Sequence, residues 1–239
     1  MKTTAKQHRS FRRLVVVAGA IAAYATLVRP RILRWGAFEE EVAADYPGRD
    51  IVPGGRRIST MATTLDAPPE QVWPWLVQMG LGRGGWYSWD HLDNWGHVSA
   101  EEIHPEWQQL EVGSRLSTST DGSTAFVVAA IEPKRFLALR ASLDLRAGRE
   151  FDPDDVPRPR YFTDSTWCFQ LTPFPGGKTR LVVSGYATYG PRWLARIFEP
   201  VVFEPAHWIM QRRQFRNLRR LTAHAPARPS VAEATKTVL

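Results

Sequence analysis

From residue 57 onward, apolar and polar positions alternate in short runs separated by turn residues, the period of strands with one buried face. The first run is RRISTMATTLDA, in which Met61 and Leu65 share one face and Ile58 and Ala62 the other. Later runs are SRLSTS, STAFVVAAI, RFLALRASL, STWCFQLTPF and TRLVVSGYATY, with EPKR and PGGK supplying turns. Two segments follow the helical period instead. In PPEQVWPWLVQM, residues 68–79, Val72, Trp73, Leu76 and Met79 recur at helical spacing, prolines open the first turn and Gly80 stops the helix. In WLARIFEPVVFEPAHWIMQRRQFRNLRRL, Leu194, Ile197, Phe198, Val201, Trp208, Phe215 and Leu218 form one stripe. This predicts a long closing helix, kinked near Glu204 and Pro205 because each proline removes an intrahelical hydrogen bond.

Residues 144–160, rich in proline and charge, read as an exposed loop, and 223–239 carry no periodic face and read as disordered. A strand, a helix, a run of antiparallel strands and a closing helix make an α+β order in which a curved sheet wraps a helix and leaves space between them.

Charge divides the chain. The first 35 residues carry Lys2, Lys6, Arg9, Arg12, Arg13, Arg29, Arg31 and Arg34 and no acid, so of the net +7 the remainder holds 7 − 8 = −1. The basic character belongs to the N-terminus and does not mark a nucleic-acid-binding domain. Between those charges runs LVVVAGAIAAYATLV, residues 14–28. Three readings stand open: a membrane anchor lengthened by RPRILRWG, a signal peptide cut after Ala23–Ala25, and a core helix. The anchor leads because Ile32, Leu33 and Trp35 prolong the apolar character and Trp35 and the arginines suit an interface. The division expected is a basic N-terminus with an anchor, 1–35; a folded domain, 36–222; and a tail, 223–239. The lone Cys168 rules out an intramolecular disulfide.

Chemistry concentrates in GLGRGGWYSWDHLDNWGH, residues 80–97. Gly80, Gly82 and Gly85 have the spacing of a dinucleotide loop, but a helix precedes them where a strand is required, so a phosphate role fails. His91, His97 and His104 lack metal-ligand spacing, and no motif calls for a metal or another cofactor. Trp86, Tyr87 and Trp89 on this Gly-rich connector, with Trp107 nearby and Trp208 on the closing helix, suit the wall of an apolar pocket. Asp90, Glu106, Glu204 and His207 lie among tryptophans, where desolvation can move a pKa toward neutrality. Asp90 and His207 are the candidate acid-base residues, although Asp90 equally suits the start of a short helix at DHLDNW.

These segments carry a resemblance. LDAPPEQVWPWLVQMGLGRGGWYSWDHLDN, IHPEWQQLEVGSRL, VVAAIEPKRFLAL, WCFQLTPFPGGKTRLVV and the closing helix resemble the START and polyketide-cyclase-like (SRPBCC) superfamily, in particular an uncharacterised bacterial branch of it, over roughly residues 35–222. The strand-Ala-Pro-x-x-Val-Trp-x-x-Leu entry is common in the superfamily, whereas WLVQMGLGRGGWYSWD belongs to the branch. Trp89-Asp90-His91 stands where the branch often has Tyr-Asp-Trp, which argues against an essential His91. The resemblance implies a helix-grip fold with an apolar cavity under the C-terminal helix. The expected function is binding or carriage of a hydrophobic small molecule, lipid- or polyketide-like, by a membrane-tethered domain. The alternative is a cyclase- or dehydratase-like enzyme using a pocket carboxylate or histidine.

Overall fold

The structure, a computed structural model, describes residues 2–223. An N-terminal helix α1 (Lys2–Ala23) passes through a π-helical turn (Tyr24–Val28) into α2 (Arg29–Leu33), and a short α3 (Glu39–Ala43) leads to the first strand. The order is then β1 (Arg56–Leu65), α4 (Pro69–Val77), α5 (Asp90–Asp93), β2 (Arg115–Ser117), β3 (Ala125–Glu132), β4 (Phe136–Asp144), β5 (Arg149–Glu150), β6 (Phe162–Phe174) and β7 (Lys178–Gly190). The chain closes with α6 (Arg192–Phe198), a second π-helical turn (Glu199–Phe203) and α7 (Glu204–Ala223). The tail expected to be disordered lies outside the described residues, except Ala223, the last residue of α7.

The strands form one antiparallel sheet in the order β1-β7-β6-β4-β3-β2, with β5 attached to β4. The fold is thus α+β, a curved open sheet gripping a C-terminal helix. Inward residues of the strands, among them Met61, Leu65, Phe169, Leu171, Leu181 and Val183, bury with Val72, Trp75 and Leu76 of α4 and Phe215, Leu218 and Leu221 of α7. Helix α4 forms where Pro69 fills an N-terminal position that needs no N–H, and Gln78 ends it two residues before Gly80.

The outward face is also covered, which the alternation does not foretell. Ala62 donates its N–H to the Trp35 carbonyl, and Arg180 of β7 makes a two-pronged ion pair with Glu41 of α3 at 2.6 and 2.7 Å. Cys168 lies in a small second core with Phe136, Ala138 and Ile51, on the face opposite Phe169. The lead-in 34–55 therefore pads the convex side of the sheet.

The distortion in the closing helix falls just before Glu204. Pro205 has no N–H to offer Val201, and the turn before it widens so that the Glu204 N–H reaches Glu199, five residues back. The loop expected at 144–160 contains a strand the sequence does not signal, β5, pinned by Arg115 on Glu150 at 2.8 and 3.0 Å.

Candidate functional site

A cavity of about 420 Å³ lies between the sheet and the start of α7. Side-chain size along two strands explains it. Toward one end of β6 and β7, Phe169, Leu171, Leu181 and Val183 fill the space completely. Toward the other, Ser165, Thr166, Ser184 and Gly185 line the cavity and leave it open. Gly185 cannot be enlarged, because a Cβ there would run into the Thr166 carbonyl. Across this gap stand three aromatic rings: Trp86 packs edge-on against Phe126 at 5.5 Å and tilted against Trp167 at 5.9 Å. At the mouth sit Leu92, Trp95 and Phe203, all exposed, together with Ala206.

The polar groups near the rings are mostly occupied. Gln211 accepts the Trp167 indole N–H at 3.2 Å and donates to Gln214 at 2.7 Å, and Gln214 donates to the Trp86 carbonyl at 2.9 Å. This chain of bonds fixes both tryptophans against α7. Two ionisable groups also face the cavity. Desolvation raises the Asp93 carboxyl to about 6, helped by the charge of Asp90 and opposed by the Ser88 hydroxyl, and its Oδ1 is buried with no hydrogen-bond partner. Desolvation lowers the His207 imidazole to about 4, so it is neutral at physiological pH.

Of the residues expected from sequence, the structure places Trp86 and His207 on this cavity and the others elsewhere. Tyr87 turns away into the core through a positive φ of 57°, where its hydroxyl accepts from Gln78 at 2.8 Å and its ring meets Trp75. Trp89 lies on the surface beneath the Arg213 guanidinium. Asp90 begins α5 and accepts from the Ser99 hydroxyl at 2.7 Å, bracing the loop. Trp107 stacks on His104 at 4.2 Å, and its carbonyl accepts from Arg83 at 2.7 Å. Trp208 meets Trp35 edge-on at 5.6 Å, with Arg212 over both rings.

The glycine connector folds over itself by paired bonds between Gly80 and Gly85. Its tightness sends successive aromatic side chains to opposite sides, Trp86 into the cavity and Tyr87 into the core. Among the described residues, no group of three or more His, Cys, Asp or Glu is placed to hold a metal ion. Asp93, Phe126, Trp167, Gln211 and Gln214 join the site without having been expected. Alternation signals one of them: Trp167 shares a strand face with Ser165 and Phe169, so a ring above a small residue marks a hollow. Gln211 and Gln214, polar residues three apart on a buried helix face, give a second signal.

No family model matches the chain, and no curated protein matches it. Similar solved structures exist. Protein MLL2253 from Mesorhizobium loti is 20% identical with a TM-score of 0.39, over 70% of this chain and 99% of that one. CalU16 from Micromonospora echinospora is 15% identical with a TM-score of 0.32, over 71% and 87%. DynU16, from the dynemicin biosynthetic locus, is 15% identical with a TM-score of 0.39, over 68% and 46%. Similarity at this level leaves function to be derived from the cavity of this chain.

The N-terminal helix is long and apolar enough over Val15–Leu33 to cross a membrane, and only 6% of that stretch is buried in the fold. A membrane anchor, a signal sequence and a helix packed in a soluble protein all meet that criterion of length and apolarity.

Proposed function

We propose that this chain binds a hydrophobic small molecule in the cavity between β6, β7 and α7, and that the N-terminal helix tethers it to a membrane. The observation that carries the reading is the cavity wall. Trp86, Phe126 and Trp167 face a hollow kept open by serine and glycine, and the glutamines behind them already satisfy one another. A ligand there gains aromatic contact without competing for those hydrogen bonds. The cavity is large enough for a lipid-tail or polycyclic fragment, within the usual range of small-molecule sites of roughly 300–1,000 Å³. The sequence resemblance to the SRPBCC superfamily agrees with such a use.

Ala206→Trp tests this. Ala206 is exposed at the mouth, so the larger ring blocks entry without disturbing the core. Titration of the detergent-solubilised full chain with an apolar naphthyl fluorophore is expected to give saturable binding. The variant should weaken it by about tenfold or more, equivalent to one lost aromatic contact, at unchanged melting temperature. Equal affinity in both proteins would remove the cavity as the site.

A second reading has its own support. Asp93 is a carboxyl held protonated toward neutral pH with an unpartnered oxygen in the cavity, as a general acid requires. Under it, a molecule co-purifying with the protein is chemically altered over time, and Asp93→Asn retains binding but stops the change. A ligand recovered unaltered from the wild type supports carriage.

A further inference from the structure

A second pocket, of about 250 Å³, lies beside the end of the apolar N-terminal helix. Its wall carries Arg29, Arg56, Arg57, Arg192 and Arg196 against two carboxylates, Glu199 and Glu204. Two of the arginines are engaged. Arg29 grips Glu204 at 2.7 Å through both prongs, and Arg57 donates to the carbonyls of Val42 and Ala44 at 2.8 and 2.6 Å. Arg56, Arg192 and Arg196 are exposed, and no ion pair is formed by them among the described residues. Three guanidiniums without an ion-pair partner at one concavity are suited to a phosphate, which, like a carboxylate, matches their planar bidentate donors.

The adjacent surface says where that phosphate comes from. Trp193, Phe198, Val201, Val202 and Phe203, on α6 and the π turn, are 44% to 69% exposed. This face continues directly from the candidate span: the Tyr24 hydroxyl, inside Val15–Leu33, donates to the Pro200 carbonyl. Tyr24 precedes Arg29 by five residues, about 7 Å along a helix. If the helix spans a bilayer with Arg29 at the headgroups, Pro200 and its neighbours lie at the level of the upper acyl chains. The segment is helical there, so its backbone is largely hydrogen-bonded internally, as burial in lipid requires.

We propose that this pocket takes the phosphate of an anionic phospholipid while the exposed face of α6 and the π turn lies in the acyl layer beside it. The partner is the leaflet adjoining the folded domain. Phe203 belongs both to that face and to the mouth of the cavity, so docking turns the mouth toward the lipid tails. A hydrophobic ligand then enters from the leaflet without crossing water. The proposal rests on the tethered-binding reading above and adds the route and the lipid class.

The experiment uses the full chain in vesicles of phosphatidylcholine alone or mixed with phosphatidylglycerol. Native mass spectrometry of the released protein is expected to show retained phosphatidylglycerol in preference to phosphatidylcholine by about tenfold or more, and the triple variant Arg56→Gln, Arg192→Gln, Arg196→Gln to lose that preference. A preference unchanged in the variant, or no preference in the wild type, overturns the site. So does equal occupancy by inorganic phosphate in detergent, which makes it a free-anion site. A fluorophore on Val201→Cys should be quenched by nitroxide on the acyl chains, and one on Phe174→Cys, exposed at the β6–β7 turn on the opposite end of those strands, should not; buried Cys168 stays unlabelled. An unquenched label at 201 overturns the embedding. Binding of the naphthyl fluorophore to the wild type in detergent is measured alongside: if it is saturable while the wild type shows no lipid preference in vesicles, the cavity stands and only the docking falls.

Discussion

Asp93 and His207 are two titratable groups in one apolar hollow, and their shifts oppose each other. The Asp93 carboxyl is raised from its ordinary 3.8 to about 6, so between those values the folded protein holds a proton the unfolded chain has lost. Its contribution to stability is complete below pH 3.8 and is lost as pH rises through about 6. His207 is depressed from 6.5 to about 4, so the unfolded chain binds the extra proton, and stability falls as pH drops from 6.5 toward 4. Over the shared window of roughly pH 4 to 6 the two slopes cancel. Single substitutions should expose them separately. In chemical denaturation followed across that window, His207→Gln leaves the Asp93 slope and becomes less stable as pH rises. Asp93→Asn leaves the His207 slope and becomes more stable as pH rises. At pH 7 to 8, Asp93→Asn should exceed the wild type by about 1–3 kcal/mol, because a buried carboxylate no longer has to ionise. Parallel pH profiles in all three proteins would show that neither group is desolvated.

The glycine connector depends on its shape at the scale of one element. Gly85 has a φ of 72°, and a Cβ on it would come within 2.6 Å of the Ser99 hydroxyl and 2.9 Å of the Asn94 amide. Gly85→Ala therefore combines left-handed strain with a clash against the two side chains that brace the loop after α5. It should cost about 2–4 kcal/mol in chemical denaturation and release Trp86 from the cavity, seen as weaker naphthyl-probe binding. Gly82→Ala, positive in φ but in open space, should cost only the strain, about 1 kcal/mol. The sequence declares the strands and both main helices because one face of each is buried, and burial writes a period of two or of 3.6 into the residues. It declares the aromatic richness of the connector but not its directions. Adjacent Trp86 and Tyr87 have equal reason to line a pocket until a positive φ at Tyr87 separates them. Asp90 and Asp93 differ in the same way: three residues apart on one short helix, one braces Ser99 and the other faces the cavity. The convex cover is illegible for another reason. Residues 34–55 hold their place by ion pairs and carbonyl contacts that leave no periodic trace, as with Arg180 on Glu41 and Arg57 on Val42.

At the scale of the whole molecule, the boundary expected after residue 35 divides a packed junction. Arg29 of α2 pairs with Glu204 at the start of α7, whose side chain is only 2% exposed, and Trp35 and Trp208 meet edge-on under Arg212. The apolar helix is therefore fastened to the same helix that closes the cavity. Removing residues 1–35 leaves the Glu204 carboxylate buried without its cation, a larger loss than deleting an independent anchor would bring. Arg29→Ala isolates that effect. Truncating one partner of a buried pair costs about 3–5 kcal/mol when both ions are enclosed; Arg29 is 39% exposed, so water partly replaces it and a value near about 2–3 kcal/mol is expected. Glu204→Gln alone removes the charge that needs compensating and should cost less. The double variant should lie close to Glu204→Gln, giving a coupling of about 2–3 kcal/mol in a denaturation cycle measured in detergent. Additive single effects would mean that the junction is not held by this pair. In that case the junction rests on Trp35 against Trp208 and on Tyr24 against Pro200 instead, and the chain beginning at residue 36 should lose only what those two contacts supply relative to one beginning at residue 22. With the coupling present, the chain beginning at 22 must be the more stable, since it retains Tyr24 on Pro200 as well as Arg29 on Glu204.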